Sequence, residues 1–174
     1  MGKLTHLMIH CADTPAGVWF DGTHIMSWHT DPKPKGRGWS KPGYADIILL
    51  DGTVENLIPY DEDDWVESWE ISNGARGWNG TTRHVCYIGG RAPAEDGGGA
   101  LDTRSVAQKA SLEIYVKSTL RNHPTIKLIG HNQVHATKYC PSFNVPEWAL
   151  SVGIPEKNID FEAHVENPFY KIPT

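Results

Sequence analysis

Four short apolar runs set the architecture of this chain: LTHLMIHC (4–11), YADIILL (44–50), HVCYI (84–88) and KLIG (127–130), each ended by glycine, proline or a polar turn. Runs this short read as buried strands, and strands need neighbours, so the chain must build a sheet. Asp51-Gly52 between YADIILL and residues 53–58 predicts a hairpin. Residues 20–29 predict a short helix, closed by the proline- and glycine-rich loop 32–38. Residues 103–122 predict the longest helix, with Ser105 and Gln108 at capping-box spacing and Val106, Ala107, Ala110 and Ile114 on one apolar face. A further short helix is expected over 145–150. Polar loops are expected over 72–82 and 96–100, and an extended segment from 153 onward. The 174 residues suit one core, without repeats or an interdomain linker. The expected fold class is therefore α/β in the mixed α+β sense: a single domain with a central mixed β-sheet flanked by helices.

Composition narrows the function. Hydrophobic residues at 39% and charged residues at 21% fit a folded domain rather than a disordered one. A net charge of -5 argues against nucleic acid or an anionic membrane as partner. No apolar run approaches the roughly 20 residues of a spanning helix. Residues 7–9 are too short for a signal-peptide core, so synthesis in the cytoplasm is expected. Three cysteines exclude a disulfide scaffold. The acidic run 61–64 lacks the glycine and spaced ligands of a calcium loop and reads as solvated.

The residues with the most chemistry are His10 at the end of the first strand, and His131 and Cys140 in GHNQVHATKYCPSF. A strand-end histidine is more often structural than functional, and nine histidines make coincidence cheap. Strand alternation puts Cys11 on the face opposite His10, and Cys11 and Cys86 read as buried packing residues. A His/His/Cys set leaves one tetrahedral position open, as catalytic zinc sites do. By spacing alone, His135 competes for the same role.

Five segments, IHCADT (9–14), GW...GYADIILLDGTVE (38–55), NGARGWN (73–79), HVCYIGG (84–90) and GHNQVHATKYCPSF (130–143), together resemble the type 2 N-acetylmuramoyl-L-alanine amidases. That family includes phage amidase endolysins and is related to the peptidoglycan recognition proteins. The resemblance covers most of residues 4–150. It implies a catalytic domain over 1–152 with a zinc site at the sheet surface, and an extension over 153–174 that matches nothing in the family. On the family's pattern His10, His131 and Cys140 fall on the zinc-ligand positions. Tyr44 falls on the tyrosine of the Gly-Tyr-strand motif, and Lys138 on the lysine of phage-type members. Asn73, Trp78 and Asn79 belong to a loop implied to line the substrate groove. Ala45 and Asp46 stand where the family often has a histidine and an aromatic residue, and Gly74 where many members have a histidine.

The resemblance implies one zinc per chain, a monomer, and hydrolysis of the amide between N-acetylmuramic acid and L-alanine in peptidoglycan after release or export to the cell wall. Lys138 and Tyr44 are then the candidate oxyanion stabilisers, although a loop lysine is ordinarily solvated and a strand-edge tyrosine ordinarily packs. Two other readings compete: a non-catalytic peptidoglycan-binding module, and a cysteine hydrolase using Cys140 or Cys11. Of the seven tryptophans, Trp39, Trp65, Trp69 and Trp78 fall in loops or at element edges, where some can stack on sugar rings.

Overall fold

In the computed structural model, which describes residues 1–173, the chain runs β1 (Gly2–Lys3), β2 (His6–Cys11), β3 (Thr14–Pro15), α1 (Gly22–Thr30), β4 (Asp46–Ile48), β5 (Val54–Asn56), β6 (Trp65–Val66), β7 (Thr82–Tyr87), β8 (Gly90–Arg91), α2 (Val106–Asn122), β9 (Lys127–Gly130) and α3 (Val145–Ser151). The last residue of the extension, Thr174, lies outside that range. All four apolar runs become strands of one five-stranded sheet in the order β5-β4-β7-β2-β9. β4, β7, β2 and β9 are parallel, and β5 turns back on β4 through the Asp51-Gly52 hairpin. Two-stranded pairs, β1 with β6 and β3 with β8, sit outside this sheet. Among the described residues no helix is long and apolar enough to cross a membrane.

β2 lies between β7 and β9, and Leu7, Met8 and Ile9 are fully buried. A strand covered on both faces is expected to read as a continuous apolar run, each such side chain contributing roughly 1.5–3 kcal/mol on burial. On one face Leu7, Ile9 and Cys11 pack with Val85 and Tyr87 beneath Leu112, Val116 and Leu120 of α2 and Val145 and Ala149 of α3. On the other, Ile47 and Cys86 meet Ile25 of α1, while Met8 and Ile129 meet Ala75 and Trp78 of the 72–82 loop. Cys11 and Cys86 are both buried. His10, also buried, interrupts this apolar strand on the α1 side.

Local chemistry fixes the helix starts. Asp21 accepts from Thr23 N and His24 N, so α1 begins at Gly22 rather than at 20. Ser105 Oγ accepts from Gln108 N while Gln108 Oε1 accepts from Ser105 N, both at 3.0 Å, completing the expected capping box. The apolar face expected for α2 is corrected. Val106 and Ile114 are 87% and 68% exposed, and Ala110 is exposed as well. The buried stripe is Gln108, Leu112, Val116 and Leu120. The cause is Gln108, whose amide donates to the carbonyls of Ile48 and Ile88 at 3.1 and 2.8 Å. Satisfying two strand-end carbonyls outweighs the polarity of the residue and turns the i,i+4 row beginning at Gln108 inward.

Residues 153–173 hold only one short 3₁₀ turn, Glu156–Asn158. They pack closely nonetheless. Ile154 and Ile159 join the core, Asp160 N donates to Leu128 O, and Ile159 bridges to Leu128 beside β9.

The register of α2 gives a direct expectation. Leu112→Ala should lower stability by about 2–5 kcal/mol, whereas Ile114→Ala should change it by less than about 0.5 kcal/mol. Urea unfolding midpoints of the two variants measure this, and comparable losses would mean that the buried stripe lies elsewhere on the helix.

Candidate metal centre

The parallel strands end together at one edge, where ligand sites of open α/β sheets lie. His10 is near the end of β2, and His131 follows directly on β9. Cys140 comes back to the same place at the end of the following loop. The three donor atoms lie within 4.8 Å of one another, with His10 Nδ1 3.6 Å from Cys140 Sγ, and all three residues are buried. The group can hold a metal ion. His135, the competitor by spacing, is exposed, its Nδ1 accepting from Thr137 N and its ring 5.6 Å from that of His131.

Electrostatics favour the neutral imidazoles that metal binding needs. Burial holds His10 well below its ordinary value, with His131, His84 and His29 adding to the effect. Burial likewise lowers His131 to about 4, helped by His135 and Lys138. Burial pushes the Cys140 thiol well up, a direction that a nearby dication reverses. The Cys11 backbone N–H donates to the Cys140 sulfur at 3.2 Å.

Behind His10 stands His84, which no motif in the sequence marks as functional. His10 Nε2 lies 2.9 Å from His84 Nδ1. With the proton on His10 Nε2, its Nδ1 lone pair faces Cys140 and His131, the partner arrangement that orients metal-binding histidines. The signal lies in the register. β2 and β7 pair His10 with Cys86 and Met8 with His84, so His84 is the diagonal neighbour of His10 on one face. Gly74 belongs to the same arrangement, because a Cβ there would meet the His84 ring at 2.4 Å. The absence of a side chain at Gly74, where the resemblance led one to expect a histidine, leaves room for the His84 ring.

A cleft of about 570 Å³ opens beside His131, with a second lobe of about 370 Å³ that reaches Cys140, Asp13 and Tyr139. His29, Arg37, Tyr44, His131 and Lys138 line both lobes. Tyr44 is half-buried, its ring 5.2 Å from that of His10. Burial pushes its phenol well above the ordinary value, so it stays a donor. Lys138 is exposed at the rim. His29 and Arg37 were not anticipated. His29 Nδ1 accepts from Gly43 N at 3.1 Å, and Trp39 stacks on its ring at 5.1 Å. Among the described residues, the larger lobe has no acidic residue in its lining, although the chain carries a net charge of -5.

The groove residues separate. Asn73 and Asn79 line the larger lobe, with Asn73 Nδ2 donating to Lys41 O and Asn79 Oδ1 accepting from Ala75 N. Trp78 instead turns away between the rings of His6 and His164 and is not part of the lining. Ala45 and Asp46 also lie off the cleft. Asp46 accepts from Tyr115 of α2 and from Asn56. The ligand loop is held from outside by Asn167, whose Nδ2 lies 2.8, 2.6 and 2.8 Å from the carbonyls of Asn132, His135 and Lys138.

No family model matches the chain. The endolysin of Enterobacteria phage K11 is 31% identical over 147 residues, 84% of this chain and 85% of that one. Among solved structures, the endolysin of Thermus scotoductus MAT2119 bacteriophage Ph2119 shares the fold with a TM-score of 0.65 at 18% identity, over 87% of this chain and 85% of that one. The N-acetylmuramoyl-L-alanine amidase LysC from Clostridium intestinale URNW shares it with a TM-score of 0.60 at 19% identity, over 88% and 87%. With nearly a third of its residues identical across most of both chains, and with the same fold, the protein belongs to the phage endolysin family built on the amidase fold.

Proposed function

We propose that the chain is a zinc-dependent N-acetylmuramoyl-L-alanine amidase, cutting the amide that joins the muramic acid lactyl group to L-alanine in peptidoglycan. The observation that carries this reading is the convergence of the His10, His131 and Cys140 donor atoms beside an open cleft whose lobes are lined by His131 and, in the smaller one, Cys140. Family membership and the amidase named among its structural neighbours support it.

The donor set fits zinc: two imidazole nitrogens and a sulfur, with His84 behind one imidazole and a backbone N–H on the sulfur. A zinc ion there supplies Lewis-acid polarisation and water activation at neutral pH. The chain's own residues do the rest. Lys138, on the rim of both lobes, meets the oxyanion as charge develops on the scissile carbonyl. Tyr44 donates a neutral hydrogen bond from the opposite wall, its proton retained by burial. His29, with Nδ1 engaged by Gly43, keeps its remaining N–H for substrate. Arg37, Arg76 and Lys138 make the cleft favour an anionic ligand such as a stem peptide with free carboxylates. A cysteine hydrolase using Cys140 is disfavoured, because an activated nucleophile needs a lowered pKa and burial raises that thiol; the Cys11 thiol is held lower by Cys140 and Ser142, but its side-chain partner is Ser142 rather than a histidine base. A binding-only module has no use for a buried thiol in the donor set.

Digestion of purified cell wall tests the bond. New alanine amino groups should appear without new reducing ends. Reducing ends rising in step with lysis would point to glycosidase chemistry instead.

Metal dependence has its own signature. Chelation should abolish lysis, and added zinc should restore it. Cys140→Ser should lose metal and activity together. Gly74→Ala, which drives a methyl group into His84, should weaken zinc affinity by about 10- to 100-fold. Normal affinity in Gly74→Ala would mean that His84 does not orient the His10 ligand.

Lys138→Ala and Tyr44→Phe should keep a full zinc complement and lose about 100- to 1,000-fold in turnover, the usual effect of removing one preorganised oxyanion donor. A Lys138→Ala rate above about a third of wild type, far outside that range, would rule out the role for the lysine.

A further inference from the structure

The wall of the smaller lobe carries a charged cluster with no part in the chemistry described so far. Asp13, two residues beyond the end of β2, turns through the left-handed region at φ 58°, a conformation that Asp adopts more readily than most residues. Arg91 of β8 grips its carboxylate from one side, Nε donating to Oδ1 at 3.0 Å and Nη2 to Oδ2 at 2.8 Å. From the other side the Tyr139 hydroxyl donates to Oδ1. Tyr139 stands between Lys138 and Cys140 in the chain. We propose that Asp13, clamped by Arg91, is a positioning residue: it pins Tyr139 and so sets Lys138 and Cys140 against the end of β2, a role that rests on the metal and oxyanion parts given to those two residues above.

The loop from His131 to Cys140 needs such a tie. Asn167 holds its carbonyls as far as Lys138. Beyond Cys140, Tyr87 donates its hydroxyl proton to Pro141 O and Ser142 Oγ donates to Gly90 O, both at 2.7 Å. Between these anchors two adjacent side chains meet the segment leaving β2. Cys140 Sγ accepts from Cys11 N at 3.2 Å, and Tyr139 reaches Asp13 two residues on. One contact would let the loop pivot about the sulfur, and two fix its orientation. Phe169 packs edge-on against the Tyr139 ring, centroids 5.9 Å apart. The clamp is itself anchored, because β3 pairs Pro15 with Arg91 and Ala16 N donates to Arg91 O at 3.0 Å.

Energetics separate positioning from stability. The Arg91 and Asp13 side chains are 42% and 44% exposed, and an ion pair that open to water contributes little to folding. A bidentate guanidinium–carboxylate pair nevertheless fixes direction. What it directs is the neighbour of a metal-binding sulfur and of an oxyanion donor, where a displacement of about 1 Å can cost on the order of 100-fold in rate.

The test is zinc affinity, by competition with a chelator, together with steady-state kinetics on soluble muropeptide. Asp13→Ala and Tyr139→Phe should each weaken zinc affinity by about 10-fold, the lower end of the effect of removing an outer partner of a metal ligand. Turnover should fall by about as much, with KM and the urea unfolding midpoint close to wild type. The double variant should lose no more than either single one, because both break the same contact. Asp13→Asn, which keeps an acceptor for the Tyr139 hydroxyl, should recover most of the loss. In the metal-free protein, amide exchange across residues 136–140 should quicken in Asp13→Ala. Zinc affinity in Asp13→Ala within about twofold of wild type, well short of the usual effect, overturns the proposal. So do losses that add in the double variant, or a change confined to KM, which would make Asp13 a substrate contact instead. The affinity and exchange measurements do not depend on which bond is cut, so failure of the amidase reading would leave them unchanged.

Discussion

The parallel pairing of β2 with β7 on one side and β9 on the other is the constraint from which the candidate metal centre follows. It brings His84 diagonally behind His10, and it ends β9 so that His131 begins where the strand stops. A slip of one residue would turn His10 toward α2 and Cys11 toward the cleft, exchanging an imidazole for a thiol and stranding a polar ring among aliphatic side chains. The apolar residues of β2 therefore hold the register for chemistry in which they take no part.

Local signals were legible in the sequence. The four strands, the Asp51-Gly52 hairpin and the Ser105–Gln108 capping box depend on a few adjacent residues, and each formed within a residue or two of its expected place. Signals that depend on distant partners were not. Gln108 counts as polar until the strand-end carbonyls of Ile48 and Ile88 are placed beside it. His84 reads as an ordinary strand residue until register puts it behind His10. His29 and Arg37 share the cleft with His131 only because the end of α1 and the loop after it reach the same sheet edge as the residue following β9, which no spacing in the chain records. Trp78 lies within a groove motif of the sequence and packs against two histidines of another cluster.

The departures from the family pattern form compensated sets. Gly74 and His84 exchange volume: where one position lacks a side chain, the ring of the other lies within what would be contact distance of a Cβ. Asp46 takes its hydrogen bonds from Tyr115 and Asn56, so a buried carboxylate is satisfied from the helix side rather than exposed to the cleft. Such pairs explain how the ligands stay in place while the groove around them changes.

Asn167 ties the end of the chain to the metal centre. One side-chain amide reaches three carbonyls of the loop between His131 and Cys140, so the segment around Asn167 and that loop pack as one unit. Coupling of this kind is reciprocal. Whatever free energy a bound ion gains from a preordered loop is returned as tighter docking of the extension. A protease nicking near Asn167 would then loosen the ion, and removing the ion would expose the same segment to the protease. The segment around Asn167, remote from His10 in sequence, is thermodynamically coupled to the loop that carries His131 and Cys140.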